Sequence, residues 1–312
     1  MSRLFVSRLA ALALMIILLA GCAPATAPAG GRAGLNVLAA ETFLADIAQN
    51  VAGDRLKVAA LIPVGVDPHG FQPTPADVKK VAASQVLIVN GAGFEEFLAD
   101  LLMNAGGDRT VIEASAGLTM RETPDDPAHA AGGHHEEGDP HFWLDPVLVV
   151  KYVENIRDGL SQADPAGVTI YAANADAYIA RLKDLDKWIV EQVKQIPEPN
   201  RRLVTNHESL GYFADRYGFT VVGAVIPSVS AGASPSAKEL AGLADQVKQA
   251  RVQAIFLETG SNPQLARQLA QEVGIKVITE LYTHSITDPK GLAPTYIDIM
   301  KYDVAAIVGA LK

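Results

Sequence analysis

The chain has 312 residues, of which 49% are hydrophobic and 20% charged, and it carries a formal net charge of −9 with a single cysteine. The acidic balance argues against nucleic acid and anionic membrane surfaces as partners. One cysteine excludes both an intramolecular disulfide and a thiolate metal cluster, and the length suggests two lobes rather than one.

Residues 1–21 read as an export signal: Arg3 and Arg8, then an apolar run from Leu9 to Ala20 that is too short for a confident membrane span. Leu19-Ala20-Gly21-Cys22 resembles the bacterial lipobox, which implies that Cys22 is lipidated and becomes the mature N-terminus. Removing residues 1–21 takes away two arginines and no acid, so the charge moves to −11. Residues 22–34 form a tether; after Cys22 it is Ala, Pro, Gly and Thr with one Arg, and it reaches up to ~40 Å at about 3.3 Å per residue.

From Leu35 the chain alternates strand-like and helix-like segments. Leu35 to Ala40 reads as a strand, Thr42 to Val51 as a helix and Leu56 to Val64 as a strand. A Pro- and Gly-rich loop follows, in which Thr74 caps the next helix with Pro75 at its first position and Asp77 in its first turn. Val86 to Asn90 reads as a buried strand, Phe94 to Met103 as a helix and Thr110 to Glu113 as a strand. Gly91-Ala92-Gly93 lacks the third glycine of a dinucleotide fingerprint, since Glu96 stands there, and reads as a plain strand-to-helix turn. Pro146 opens a helix to about Gln162. A longer one runs from Val168 to about Gln195, its stripe made of Tyr171, Ala175, Tyr178, Leu182, Leu185, Trp188 and Ile189.

The second half repeats the alternation. Strands are expected at Arg202 to Thr205, Thr220 to Ile226, Ala254 to Glu258 and Lys276 to Leu281. Helices are expected at Ser209 to Tyr217, Pro235 to Ala250, Pro263 to Val273 and Tyr296 to Leu311. The expected fold is therefore α/β: two lobes, each a mainly parallel sheet with flanking helices, joined by one long rigid helix. The boundaries are 35–166 for the first lobe, with a histidine-containing loop at 125–140, then 167–196 for the linker helix and 197–312 for the second lobe.

The histidines carry the chemistry. His69, His207 and His284 each follow an expected strand, and ligands of open parallel sheets bind beyond the carboxyl ends of strands. His141 sits in Asp139-Pro140-His141-Phe142-Trp143, between a proline-stiffened turn and two aromatic anchors, and Asp67-Pro68-His69 repeats its first three residues. The other three, His129, His134 and His135, lie in a Gly- and Glu-rich stretch with no apolar periodicity, which reads as a solvated loop that could collect metal.

These segments resemble the substrate-binding lipoproteins of bacterial zinc or manganese ABC importers, the metal-binding cluster of periplasmic binding proteins. The resemblance covers essentially everything after Leu35. It rests on Asp67-Pro68-His69 with Pro73-Thr74-Pro75, on Asp139 to Pro146, and on Thr205-Asn206-His207 leading into Gly211-Tyr212-Phe213. Glu258-Thr259, Leu281-Tyr282 and Pro294-Thr295-Tyr296 complete it. It implies two α/β lobes joined by one long helix, an exported protein held at the membrane by its lipid, and capture of metal in the cleft. Delivery to an ABC permease follows, with no covalent chemistry; the chain is expected to act as a monomer.

Carried over by motif, the metal ligands are His69, His141 and His207. Manganese binders of this kind typically place Glu at the third position, where this chain has His207. The family's fourth ligand is an Asp shortly after the last strand; here His284 stands in register, with Asp288 or a water as alternatives. Imidazoles suit Zn(II), whereas Mn(II) prefers carboxylate oxygen and is the less favoured cargo; Cu(II) or Ni(II) would also bind such a site in vitro. Neutral ligands leave the ion's charge uncompensated, so Glu208, Glu258 and Asp288 are candidates to orient imidazoles or balance charge from behind them.

A zinc hydrolase is the rival from another class, because three histidines and a water form a catalytic arrangement. His207-Glu208 begins like a protease motif, but the second histidine would fall at Gly211. A surface adhesin or a zinc chaperone would share the metal site and differ only in partner.

Overall fold

The computed structural model describes residues 34–122, 138–226 and 234–312; the expected signal, Cys22 and tether, together with His129, His134 and His135, lie outside the described residues. Two four-stranded sheets are formed, and every strand pair in them is parallel. The first contains β1 (Val37–Ala39), β2 (Val58–Ala60), β3 (Val86–Val89) and β4 (Thr110–Glu113), in the order β2-β1-β3-β4. The second contains β5 (Arg202–Thr205), β6 (Thr220–Ala224), β7 (Ala254–Glu258) and β8 (Lys276–Leu281), in the order β6-β5-β7-β8. The two orders are equivalent, so each half has a switch point between its two central strands, where the connections diverge and a ligand crevice forms. Central strands β3 and β7 are buried along their whole length, as expected of parallel strands covered on both faces.

In chain order the helices are α1 (Thr42–Ala52), α2 (Pro75–Ala83), α3 (Leu98–Ala105), α4 (Val149–Ala163), α5 (Val168–Val193), α6 (Gly211–Tyr217), α7 (Ala237–Ala250), α8 (Gln264–Val273) and α9 (Tyr296–Leu311). Helix α2 begins with the expected cap: Thr74 Oγ1 accepts from the Asp77 N–H and Asp77 accepts from the Thr74 N–H in return. Helix α5, 26 residues long and thus ~40 Å from end to end, packs on α1 and α4 of the first half and on α6 and α9 of the second. Its buried stripe is Tyr171, Ala175, Tyr178, Leu182, Leu185, Ile189 and Val193. Trp188, expected on that stripe, is only half-buried and lies 6.0 Å from the Lys301 ammonium.

Two helices start later than their sequence suggests, because side chains claim the turns before them. Helix α3 begins at Leu98 rather than Phe94, since Glu95 folds back to accept the N–H groups of Asn90 (2.5 Å) and Gly91 (3.0 Å) at the end of β3. The turn there has three successive left-handed residues, Gly91, Ala92 and Gly93 (φ 82°, 54° and 77°). A Cβ on Gly91 would fall 2.1 Å from the Glu113 side chain, so glycine is required by space as well as by conformation. Helix α4 begins at Val149 rather than at Pro146, after a single 3₁₀ turn at Phe142–Leu144, because Asp145 Oδ1 accepts the Val147 N–H (2.8 Å) and closes the turn.

The largest hydrophobic core is shared by the two halves, running from Phe43 and Trp143 to Tyr212, Tyr296 and Met300. Helix α9, expected to belong wholly to the second lobe, straddles both: Asp46 on α1 accepts the Tyr296 N–H (2.9 Å), and the Tyr296 hydroxyl donates to the Trp143 carbonyl (2.7 Å). Trp143 is fully buried. It stacks on Phe43 at 4.6 Å, meets Phe94 edge-on at 4.8 Å, and donates its indole N–H to the Thr283 carbonyl (2.6 Å). One side chain thus joins α1, the turn after β3 and the segment after β8. Trp143→Ala is expected to cost about 3–5 kcal/mol in urea unfolding. A loss under 1 kcal/mol would contradict its role as the wedge between halves.

Candidate metal centre

The segments leaving β2, β4, β5 and β8 bring His69, His141, His207 and His284 together, with one ligand atom from each lying within 4.8 Å of all the others. The tripeptide Asp-Pro-His is one local device used twice. In each copy the Asp Oδ1 accepts the N–H of the His two residues on, at 3.0 Å in both, while proline holds the backbone between them. His207 follows β5 directly, and Thr205 Oγ1 donates to its carbonyl at 2.6 Å. His284 follows β8, whose end is held by Asp303 on α9, the acceptor of the Tyr282 N–H (2.8 Å).

Nε2 of His141 is 3.3 Å from Nε2 of His69 and 3.4 Å from Nε2 of His207. Nε2 of His284 is buried without a hydrogen-bond partner. The opposite nitrogens meet oxygen. His141 Nδ1 is 2.8 Å from Asp139 Oδ1, and Glu258 Oε2 lies 3.0 Å from His207 Nδ1 and 3.4 Å from His284 Nδ1. Thr283 Oγ1 stands 2.9 Å from His284 Nδ1, and Ser209 donates to the other Glu258 oxygen at 2.6 Å. Oxygen at Nδ1 fixes the hydrogen there and leaves Nε2 with a free lone pair. His141 and His284 therefore direct acceptors toward one point, and His207, whose Nδ1 lies 3.0 Å from Glu258 without a hydrogen bond, stands beside them.

Aromatic rings close the other sides. Phe94 meets His69 edge-on at 5.0 Å and stacks on His284 at 6.0 Å, and Trp143 packs against His141 at 5.1 Å. His141 and His207 have no exposed surface; His69 is the partly exposed member and marks the way in.

Burial and the neighbouring imidazoles push His69 far below the ordinary imidazole range, and burial brings His284 down to about 3 against the opposing pull of Glu258. His207 goes the other way: burial would lower it, but Glu258 outweighs burial and lifts it above the ordinary value. Burial would raise Glu258, yet His207 and His284 bring it down to about 2, so it stays ionised. His69 and His284 are thus kept unprotonated and His207 is the ring drawn toward a proton by its carboxylate.

Of the acids expected behind the imidazoles, Glu258 meets two of them. Glu208 is half-buried beside the wholly buried His207, and the carboxylates that meet the imidazoles among the described residues are Asp139 and Glu258. Asp288 is exposed and outside the four-histidine group, four residues beyond His284 on a segment that runs toward the surface. Asp139 was legible only as part of a stiff turn; its repeated pairing with Pro and His was the available signal.

The family described as zinc-uptake complex component A, periplasmic, matches residues 37–310. The manganese-binding lipoprotein MntA of Halalkalibacterium halodurans is 35% identical, with 96% of this chain and 97% of that one covered. A Mn-bound periplasmic metal binding protein from Candidatus Liberibacter asiaticus superposes with a TM-score of 0.78 at 27% identity, over 89% of this chain and 100% of that one. The periplasmic zinc binding protein TroA from Treponema pallidum shares the fold with a TM-score of 0.79 at 24% identity, over 89% of this chain and 99% of that one. With two parallel sheets in equivalent order and nearly the whole described chain matched, this protein belongs to the zinc-uptake complex component A family, the substrate-binding components of metal ABC transporters.

Proposed function

We propose that the chain captures Zn(II) outside the cytoplasm in a shell of His69, His141, His207 and His284, held near the membrane by a lipid on Cys22, and delivers the ion to an ABC permease. The observation that carries this reading is the convergence of four imidazoles from four separate loops on one buried point, with the carboxylates of Asp139 and Glu258 behind the rings.

Spacing and charge both favour zinc. A tetrahedron with Zn–N bonds of about 2.0–2.1 Å has edges of ~3.4 Å, and the two closest nitrogen pairs stand at 3.3 and 3.4 Å. Asp139 and Glu258 supply two negative charges for a doubly charged ion without touching it, so the balance of charge does not require oxygen ligands. Manganese is the second reading, favoured by the name of the 35% identical relative; against it stands a nitrogen-only donor set, where hard Mn(II) prefers oxygen. A hydrolytic role is disfavoured because a fourth imidazole takes the place that an activated water would need.

Competition titrations of purified, metal-stripped protein should show Zn(II) displacing Mn(II) at equimolar metal, and His284→Asp should move the preference toward Mn(II). Retention of Mn(II) against Zn(II) by the parent protein would contradict the zinc reading. Glu258→Gln is expected to lower zinc affinity about 10–100-fold, and Ala at His69, His141 or His207 to lower it further; unchanged affinity and stoichiometry would remove those residues from the site.

Ligation needs neutral imidazole, so protons compete with the ion. His207 is raised and takes up a proton above the ordinary value of about 6.5 as pH falls, whereas His69 and His284 resist protonation. Zinc affinity should therefore fall with falling pH through the neutral range, with no more than two protons per ion, since His69 and His284 take up none there. A slope near four in calorimetric titrations between pH 8 and pH 6 would show that His69 and His284 are not kept unprotonated as described.

A further inference from the structure

Outside the cluster, Arg121 lies between the two arms that carry His141 and His207. On one side its Nη1 faces Asp139 Oδ2 at 3.9 Å, and the other oxygen of that carboxylate is the one against His141 Nδ1 (2.8 Å). On the other side Arg121 Nε pairs with Asp215 on α6 at 2.6 Å, and α6 begins four residues after His207. The backbone is tied at the same place. The Arg121 N–H donates to the Tyr212 hydroxyl (2.8 Å), which donates to the Asp139 carbonyl (2.7 Å), while the Asp139 N–H donates to the Arg121 carbonyl (3.0 Å).

Gly211 shows how tightly the junction is packed. A Cβ there would fall 2.6 Å from Arg121 Nη1 and 2.7 Å from Asp139 Oδ2, so the start of α6 is pressed against the ion pair and only glycine leaves room for it. The four partners of this junction come from different parts of the chain: Arg121 beyond β4, Asp139 ahead of His141, and Tyr212 and Asp215 on α6.

We infer that Arg121 is a positioning residue for the metal site, which holds Asp139 against His141 and clamps that arm to the His207 arm before any ion arrives. This deepens the zinc reading and rests on its assignment of His141 and His207 as ligands. Asp139 accepts from His141 with one oxygen and is steadied by the guanidinium through the other, so its orientation and the His141 tautomer depend on Arg121. The pairing with Asp215 carries that order across to the second half. Half of the shell is thereby assembled in advance, and ordering that need not be done on binding shows as slower release of the ion.

The test uses the metal-free and zinc-loaded full folded chain with Arg121→Gln, Arg121→Lys and Asp215→Asn. Two-bond ¹H–¹⁵N correlation spectra of the metal-free protein report the His141 tautomer, and transfer of zinc to a chromogenic chelator reports release. The parent should hold the Nδ1–H form. Arg121→Gln should give mixed tautomers and release about 10-fold faster or more; Arg121→Lys should recover the Nδ1–H form. Asp215→Asn changes a partner whose side chain is largely exposed, and it should speed release while leaving the tautomer alone. A pure Nδ1–H form with release within twofold of the parent in Arg121→Gln overturns the inference. Where Arg121→Gln does not fold, parent-like release from Asp215→Asn overturns it. Failure of the zinc reading is distinguishable, because it would appear as unchanged zinc affinity in His141→Ala, whereas the tautomer is read without metal.

Discussion

Four imidazoles can share one buried volume only while the nitrogens that face each other carry no hydrogen, and the carboxylates behind them secure that condition. Asp139 faces the outer nitrogen of His141 and Thr283 that of His284, while Glu258 stands at ion-pair distance from both His207 and His284, so negative charge lies behind the rings rather than between them. Burial reinforces the arrangement, since a charged imidazole is costly away from water. His207, paired with Glu258, is the place where one proton is tolerated, which makes that pair the natural point of exchange between proton and metal. On the proposed reading, anionic charge one step behind the imidazoles leaves the donor atoms nitrogen while offsetting the charge of a divalent ion.

The fold serves that arrangement by bringing strand ends from two equivalent sheets to one place. Each sheet has the same strand order, and the loops beyond the carboxyl ends of β2, β4, β5 and β8 supply one imidazole each. The halves are held by α5, by a common core and by α9, which contacts both. Trp143 lies where these meet, one residue from Phe142 and two from His141, and its indole reaches the carbonyl of Thr283, adjacent to His284. Packing and ligand placement are therefore the same set of contacts, and relative motion of the halves at this edge would move ligands directly.

Much of this was legible in the residues. Strands β4, β5, β7 and β8 and helix α9 have the bounds that their apolar runs and flanking turn residues suggest; β5 and β7 are buried almost throughout, while the edge strands β4 and β8 are largely exposed and are delimited by their β-branched runs and flanking turns. The four histidines were legible from position, as residues following strands in a parallel α/β chain. What was not legible depended on contacts between distant segments. The delayed start of α3 follows from Glu95 folding back on the end of β3, which competes with helix formation in a way that periodicity does not register. Asp139 faces His141 because of a turn, and Arg121 faces Asp139 because α6 packs on both; neither relation has a sequence spacing of its own. The same reason explains why Glu258, at the end of a buried strand, reaches two imidazoles far away in sequence.

The central claim is a nitrogen-only shell, and X-ray absorption at the zinc edge of the zinc-loaded protein tests it most directly. The account predicts four nitrogen neighbours at about 2.0–2.1 Å, with the outer-shell scattering of four imidazole rings. A carboxylate or water oxygen in the first shell, or fewer than four imidazoles around the ion, would contradict it.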